Sequence, residues 1–195
     1  QPLADTGKPV FAFIGTLNYR PNVEGVVWFA HEVMPRVRER VADASIRIVG
    51  RSPCPAVTAL DGLPGVTVVG SVPDVRPEMA TASIIVAPLL RARGVQSKVL
   101  EAMATAKPVV CSPAAAEGIL ATPEQHLLVA HEPEQWADAL TDLLHDHDRR
   151  AALGNAARRQ VEQHYPWSRC LDPLHHMLFA EDEPNAARDE VRRAA

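Results

Sequence analysis

The stretch Ser83 to Pro108, SIIVAPLLRARGVQSKVLEAMATAKP, decides how this chain is read. The run Ser83-Ile84-Ile85-Val86-Ala87 is short, continuous and apolar, as a strand buried on both faces must be. An arginine-rich loop follows. Gly94 then leads into a helical pattern that Lys107-Pro108 closes. Within that helix Lys98 and Glu101 are three residues apart and share a face, while Val99, Leu100 and Met103 can turn toward a core. A cation and a carboxylate thus stand near a helix start, whose unpaired amides already favour anions. The stretch reads as a holder of the diphosphate and ribose of a nucleotide. On the residues alone a second reading stands beside it: Lys98 and Glu101 as a surface pair worth a few tenths of a kcal/mol.

Outward from this stretch the same rhythm recurs. Val10 to Ile14 is apolar and closed by Gly15; Ile46 to Val49 is closed by Gly50; Val66 to Val69 by Gly70; and Pro108 to Cys111 leads to Ser112. Helical patterns alternate with these runs. Asn22 is placed to cap the first, whose apolar positions include Val23, Val26, Val27, Ala30, Val33, Met34 and Val37, with Pro35 expected to kink or divide it. Strand alternating with helix means stacked βαβ units, so the expected fold is α/β, a Rossmann-like doubly wound parallel sheet with C-terminal helices. Residues 113–118 read as a mobile loop, His126 to Ala130 as a short edge strand, and Glu132 onward as helices, the last from Pro166 to about Ala180. The polar end, Glu181 to Ala195, reads as frayed.

In such a sheet every loop that follows a strand lies on the carboxyl edge, where ligands bind at the point of strand-order reversal. The loops at Gly15 to Arg20, Gly50 to Pro53, Gly70 to Asp74, Arg91 to Ser97 and Ser112 to Gly118 therefore converge on one crevice. The helix amides from Gly94 to Ser97 are expected to cradle phosphate oxygens.

Composition removes several other classes. Twenty basic against 24 acidic residues give a formal charge of -4, and only 5% of residues are aromatic, so nucleic acid is not an expected partner. Cys54, Cys111 and Cys170 are far apart, which suits reduced thiols better than zinc or a disulfide framework. No apolar run reaches the length of a membrane span, and the first residues lack the order of a signal peptide. The start, without methionine and almost directly in a strand, reads as that of a piece of a longer protein. His145-Asp146-His147-Asp148 lacks the i, i+4 spacing of helix metal ligands, His175 and His176 are adjacent rather than spaced, and no metal is expected. Neither a nucleophile elbow nor a P-loop nor GxGxxG is present.

FIGTLNYRPN (from Phe11), VVGSVPDVRPEMATASIIVAPL, GVQSKVLEAMATAKPVV and LLHDHDRRAALGNAARRQVEQHYPW occur in this order. Together they resemble the C-terminal, donor-binding half of the GT-B retaining glycosyltransferases of family 4 (group 1). Within that family they are similar to sugar transferases associated with bacterial exopolysaccharide gene clusters. The resemblance runs from about Phe11 to Trp167. It implies an enzyme that moves a sugar from a nucleoside-diphosphate donor to an acceptor, with the donor half at residues 1–180. Residues 181–195 would be a tail, and the acceptor domain, with most catalytic groups, would lie outside this chain. It implies no metal and no cofactor beyond the donor, and a cytoplasmic setting that extends to the inner face of the membrane.

By the same resemblance Glu101 matches the second glutamate of a Glu-x7-Glu motif and would bind ribose hydroxyls. Lys98 would meet the diphosphate together with Gly15, Thr16, Arg20, Arg93 and Gly94. Arg51, Ser52, Gly70 and Val72 would flank the base, and Glu117 with Gly118 the donor sugar. The chain departs from the family pattern twice. The first motif glutamate is Arg93, and the basic residues usual after the first strand fall on Thr16 and Pro21, which leaves Arg20 as the displaced cation. Three functions stay in view: a glycosyltransferase donor domain, a non-catalytic nucleotide sensor of the same fold, and a nucleotide-sugar 2-epimerase. The last helix, Trp167 to Phe179, would cross to the missing domain in the family fold and is a candidate for self-association here.

Overall fold

The structure is a computed structural model, and it describes residues 9–168 together with 171, 177 and 178. The chain divides into two compact units, Gln1–Glu162 and Gln163–Ala195. The expected tail, 181–195, lies outside the described residues.

Six short strands form the sheet of the first unit: β1 (Val10–Ile14), β2 (Ser45–Val49), β3 (Val66–Gly70), β4 (Ile84–Ala87), β5 (Val109–Cys111) and β6 (Leu128–Val129). They lie in the order β3-β2-β1-β4-β5-β6, every pair parallel. The doubly wound sheet is therefore present, with its reversal between β1 and β4. From β1 the chain moves to β2 on one side, and from β4 to β5 on the other. Right-handed crossovers then place the helices that follow β1 and β4 on opposite faces, which opens a crevice between their first turns.

The sheet is buried because its strands are apolar on both faces. Phe11, Phe13, Ile46, Ile48, Ile84 and Val110 are all inaccessible or nearly so, as are Val99, Ala102 and Met103 of α5 (Ser97–Ala104). Trp136 of α7 (Pro133–His145) is fully buried and meets Phe29 edge to face, with centroids 5.5 Å apart at 83°. A buried Trp of this kind contributes about 2–3 kcal/mol through area alone and about 1 kcal/mol more through ring geometry. It fixes α7 against the helical layer that follows β1. That layer consists of α1 (Arg20–Trp28), a π turn (Phe29–Val33) and α2 (Met34–Arg40); the short helices α3 (Pro55–Thr58) and α4 (Arg76–Thr81) follow β2 and β3.

Two expectations are corrected, and a third is met in altered form. Tyr19, not Asn22, is the residue before α1, and Asn22 lies inside the first turn. Pro35 stands where the helix divides into α1 and α2, without a break in the chain's helical course. Lacking an N–H, it cannot donate to the carbonyl of His31, and the chain passes instead through the π turn, where the Met34 N–H donates to the Phe29 carbonyl. Residues 113–118 are not merely a loop, because Ser112 caps the short helix α6 (Pro113–Ala116) by accepting from the Ala115 N–H at 3.2 Å.

The histidine-rich tract at 145–148 is the junction of α7 and α8 (His147–His164). Asp146 accepts from the Arg149 N–H at 2.8 Å, and buried Arg150 donates to the Leu143 and Leu144 carbonyls, so its charges and donors end one helix and begin the next. Among the described residues no group of three His, Cys, Asp or Glu could hold a metal. No described helix is long and apolar enough to cross a membrane. Cys54 and Cys111 are free thiols, and burial pushes the Cys111 thiol up to about 12, which makes it a packing residue. In the second unit Trp167, Leu171, Met177 and Leu178 are helical and exposed.

Candidate donor site

Beyond the strand ends the backbone ladder continues and draws the loops together. The Gly15 N–H donates to the Val49 carbonyl at 3.0 Å, Leu17 N–H to Arg51 O at 2.9 Å, and Gly50 N–H to Gly70 O at 2.8 Å. The loops after β1, β2 and β3 are thus one hydrogen-bonded shelf. Gly50 is obligatory in it, since a Cβ there would stand 1.6 Å from the Gly15 carbonyl oxygen.

Opposite this shelf the loop after β4 delivers the first turn of α5. The helix starts at Ser97, three residues later than Gly94. Gln96 precedes it and donates from its side chain to the Arg93 and Gly94 carbonyls at 3.2 Å each, which ties the turn to the helix start. Lys98 is consequently in the first turn, beside the amides that lack intrahelical acceptors, and Glu101 is one turn further along.

Between shelf and helix lies a cleft of about 470 Å³, lined by Ile14, Gly15, Thr16, Tyr19, Asn22, Gly50, Arg51, Ser71, Val72, Val75, Gln96, Ser97, Lys98 and Glu101. Its volume suits a nucleotide-sized ligand. Lys98 is half-buried with its ammonium 5.2 Å above the Phe13 ring centroid, and it donates to the Asn22 side-chain oxygen. Burial pulls the Lys98 ammonium down to about 8, against the opposing pull of the Glu101 carboxylate. A partly desolvated cation beside free helix amides is an anion site held ready in advance.

Of the residues expected at the site, Gly15, Thr16, Arg51, Val72, Lys98 and Glu101 come together on this cleft. Others do not line it. Arg20 opens α1 facing solvent and pairs with Glu24 at 2.6 Å, an i, i+4 pair that holds the guanidinium on the helix surface. Arg93 and Gly94 are exposed in the turn, and Ser52 is exposed with φ 57°. Gly70 is buried, its carbonyl taken by Gly50. Glu117 and Gly118 are exposed, and Gly118 lies against the backbone of Gly94 and Val95, so the loops after β4 and β5 adjoin.

Three cleft residues lie outside the segments expected to form it: Ile14, Asn22 and Val75. Pro21 beside Asn22 was the available signal. Proline belongs in the first helical turn, which sets the helix start before Asn22 and frees that side chain for another partner.

A second cavity, about 510 Å³, lies where β4, β5 and β6 end. It is lined by Trp28, Glu32, Leu89, Leu90, Ser112, Pro113, Ala114, His131, Glu132, Pro133 and Trp136. Its charged side chains and its hydroxyl already serve one another or the fold, while the buried Trp136 Nε1 is left without a hydrogen-bond partner. His131 meets Glu132 at 2.7 Å, Glu32 pairs with Arg36 at 3.6 Å, and the Ser112 hydroxyl donates to the Leu89 carbonyl at 2.5 Å.

Parallel order β3-β2-β1-β4-β5-β6, with a cation and a carboxylate on the helix after the reversal, defines a doubly wound α/β domain with its crevice at the reversal. The chain belongs to the glycosyl transferases group 1, whose family model matches residues 8–146. No curated protein matches it. Among solved structures it is similar to Anabaena HepE, described in complex with UDP and glucose, at TM-score 0.71 and 15% identity over 88% of this chain and 48% of that one. It is similar to S. aureus TarM at TM-score 0.74 and 16% identity, covering 89% of this chain and 36% of that one. It is also similar to the C-terminal domain of the group 1 protein LpcC from Francisella tularensis, at TM-score 0.66 and 17% identity over 81% and 87%. The chain therefore spans about half of HepE and nearly all of the isolated LpcC domain.

Proposed function

We propose that this chain is the donor-binding domain of a retaining glycosyltransferase, and that the cleft between the first turns of α1 and α5 binds a nucleoside-diphosphate sugar. The observation that carries this reading is the placement of Lys98 and Glu101 together on the crevice at the sheet's reversal. HepE, of the same fold, is described with UDP and with UDP-glucose, which supports UDP as the first nucleotide to try.

Each group has its own part. The Lys98 ammonium and the first amides of α5 meet the diphosphate, and the Glu101 carboxylate accepts hydrogen bonds from the ribose hydroxyls. The base lies over Arg51 and Val72. During transfer the bond from the sugar's anomeric carbon to the diphosphate oxygen breaks, and its electron pair stays on that oxygen. Lys98 and the helix end stabilise this growing charge without a metal, the most effective electrostatic contribution that a donor domain can make. The acceptor hydroxyl, of a growing polysaccharide or glycoconjugate, would be presented by the part of the protein that this chain does not span. The setting is cytoplasmic, extending to the inner face of the membrane. The exposed apolar residues Trp167, Leu171, Met177 and Leu178 support a surface that the acceptor domain covers, and that associates with a second copy when that domain is missing.

A thermal-shift panel of UDP, GDP and ADP with their sugars tests the site. We expect at least one diphosphate to raise the midpoint, and Glu101→Ala or Lys98→Ala to remove most of the rise. Arg93, where the family motif has its first glutamate, keeps the sensor reading distinct. A sensor binds the donor, yet the longer protein forms no glycoside from it; a 2-epimerase returns an epimer.

A further inference from the structure

Asn22 is buried at 3% exposure within the first turn of α1, and both ends of its carboxamide are used. Its Nδ2 donates to the Thr16 carbonyl at 2.9 Å, and its Oδ1 accepts from the Lys98 ammonium, seventy-six residues away in sequence. Space for the amide comes from Gly15, where a Cβ would stand 2.8 Å from Asn22 Nδ2 and 3.2 Å from its Cγ. The amide therefore bridges the β1 loop to the first turn of α5, across the reversal of the sheet. We propose that Asn22 is the positioning residue for Lys98, aiming its ammonium into the donor cleft while leaving its positive charge uncancelled. The proposal rests on the reading of that cleft as a nucleoside-diphosphate site.

The chemistry of the side chain decides the role. Thr16 O needs a donor and the ammonium needs an acceptor, and among neutral side chains of this length only the carboxamide of Asn offers both in one rigid plane. An aspartate would hold the lysine equally well but as an ion pair, competing with the diphosphate for the same charge. Because the acceptor is neutral, one of the three ammonium N–H groups is used and two remain for phosphate oxygens.

The charged and titratable groups that face Lys98 in the cleft are Glu101 on its own helix, Arg51 from the β2 loop and Tyr19 from the β1 loop; Phe13 lies beneath it. With the ammonium lowered to about 8 by burial, a bound diphosphate draws it back up, so binding takes up a proton when the pH is above about 8.

The test pairs two measurements on the chain as it stands. Calorimetric titration of UDP is made between pH 6.5 and 9.5 for the wild type, Asn22→Ala and the isosteric Asn22→Asp. Separately, the Lys98 side-chain resonance is followed against pH without nucleotide. We expect UDP affinity at pH 7 to fall about tenfold in both variants, the size of one lost or diverted charge-assisted hydrogen bond. In Asn22→Asp the Lys98 titration moves upward, and the alkaline fall in UDP affinity moves with it. A structural role alone would weaken folding without moving that inflection. UDP affinity within twofold of wild type in Asn22→Asp, with an unmoved Lys98 titration, overturns the proposal. If the wild type binds none of UDP, GDP and ADP, the donor reading fails; the nucleotide-free resonance still decides whether Asn22 holds Lys98.

Discussion

Two cavities of the first unit differ little in size, about 470 Å³ at the reversal of the sheet and about 510 Å³ at the ends of β4, β5 and β6. They differ in how their polar groups are satisfied. In the larger, His131 is matched to Glu132 and Glu32 to Arg36, all of them well exposed. In the smaller, Lys98 is drawn out of water over Phe13, and its hydrogen-bond partner among the described residues is a neutral carboxamide rather than a carboxylate. A site is marked by charge held ready at a desolvation cost, not by volume. The topology explains why. At the reversal two loops part and leave helix amides facing a gap, whereas β4, β5 and β6 all advance in one direction.

Lys98→Met should break this contrast most sharply. We expect UDP affinity to fall about 30- to 100-fold, the loss of a cation from a diphosphate site. The unliganded domain should change in stability by less than about 2 kcal/mol, because the methionine has no charge to desolvate but leaves the buried Asn22 oxygen without its donor. Chemical denaturation and calorimetry of the same variant check both. A domain that both binds UDP normally and loses stability would show Lys98 to be a packing residue.

Glu101→Ala should cost about tenfold in UDP affinity. Its specific signature is loss of discrimination: wild type should bind UDP more tightly than its 2′- or 3′-deoxy analogues, and Glu101→Ala should bind all three alike.

The pH dependence follows from the lowered Lys98. Its folded value, about 8, lies below the unfolded 10.5, so between these values the unfolded chain binds more protons. This group therefore makes the unliganded domain more stable as pH rises from about 8 to about 10.5, while UDP affinity falls across the same window. Lys98→Met should remove both trends.

The smallest effects are expected away from the cleft. Glu32→Gln, His131→Ala and Arg20→Ala should each leave UDP affinity within about twofold, as solvated charges do. A larger loss in Arg20→Ala would show that its guanidinium leaves Glu24 to meet the ligand.

The fold was legible because buried parallel strands must be apolar on both faces and glycine must stand where their loops crowd, as at Gly50. The site was legible where one residue type serves one physical purpose, as Lys98 and Glu101 do on the helix after β4. It was less so where a type serves two. Asn22 reads as a helix cap because asparagine favours caps, and only the tertiary approach of Lys98 reveals its other use. Arg20 enters the site only through the resemblance, as the displaced cation after the first strand, and an i, i+4 partner already stood in the sequence at Glu24. Nor can sequence register place a helix start to the residue; the shift from Gly94 to Ser97 moves which amides face the cleft.

The most direct test of the account is to locate the nucleotide. UDP titrated into the domain, with backbone amide and indole resonances assigned, should shift Gly15, Thr16, Arg51, Ser97 and Lys98 and leave the Trp28 and Trp136 indoles unmoved. Shifts centred on those indoles, or saturating UDP with no shift at the cleft, would contradict it.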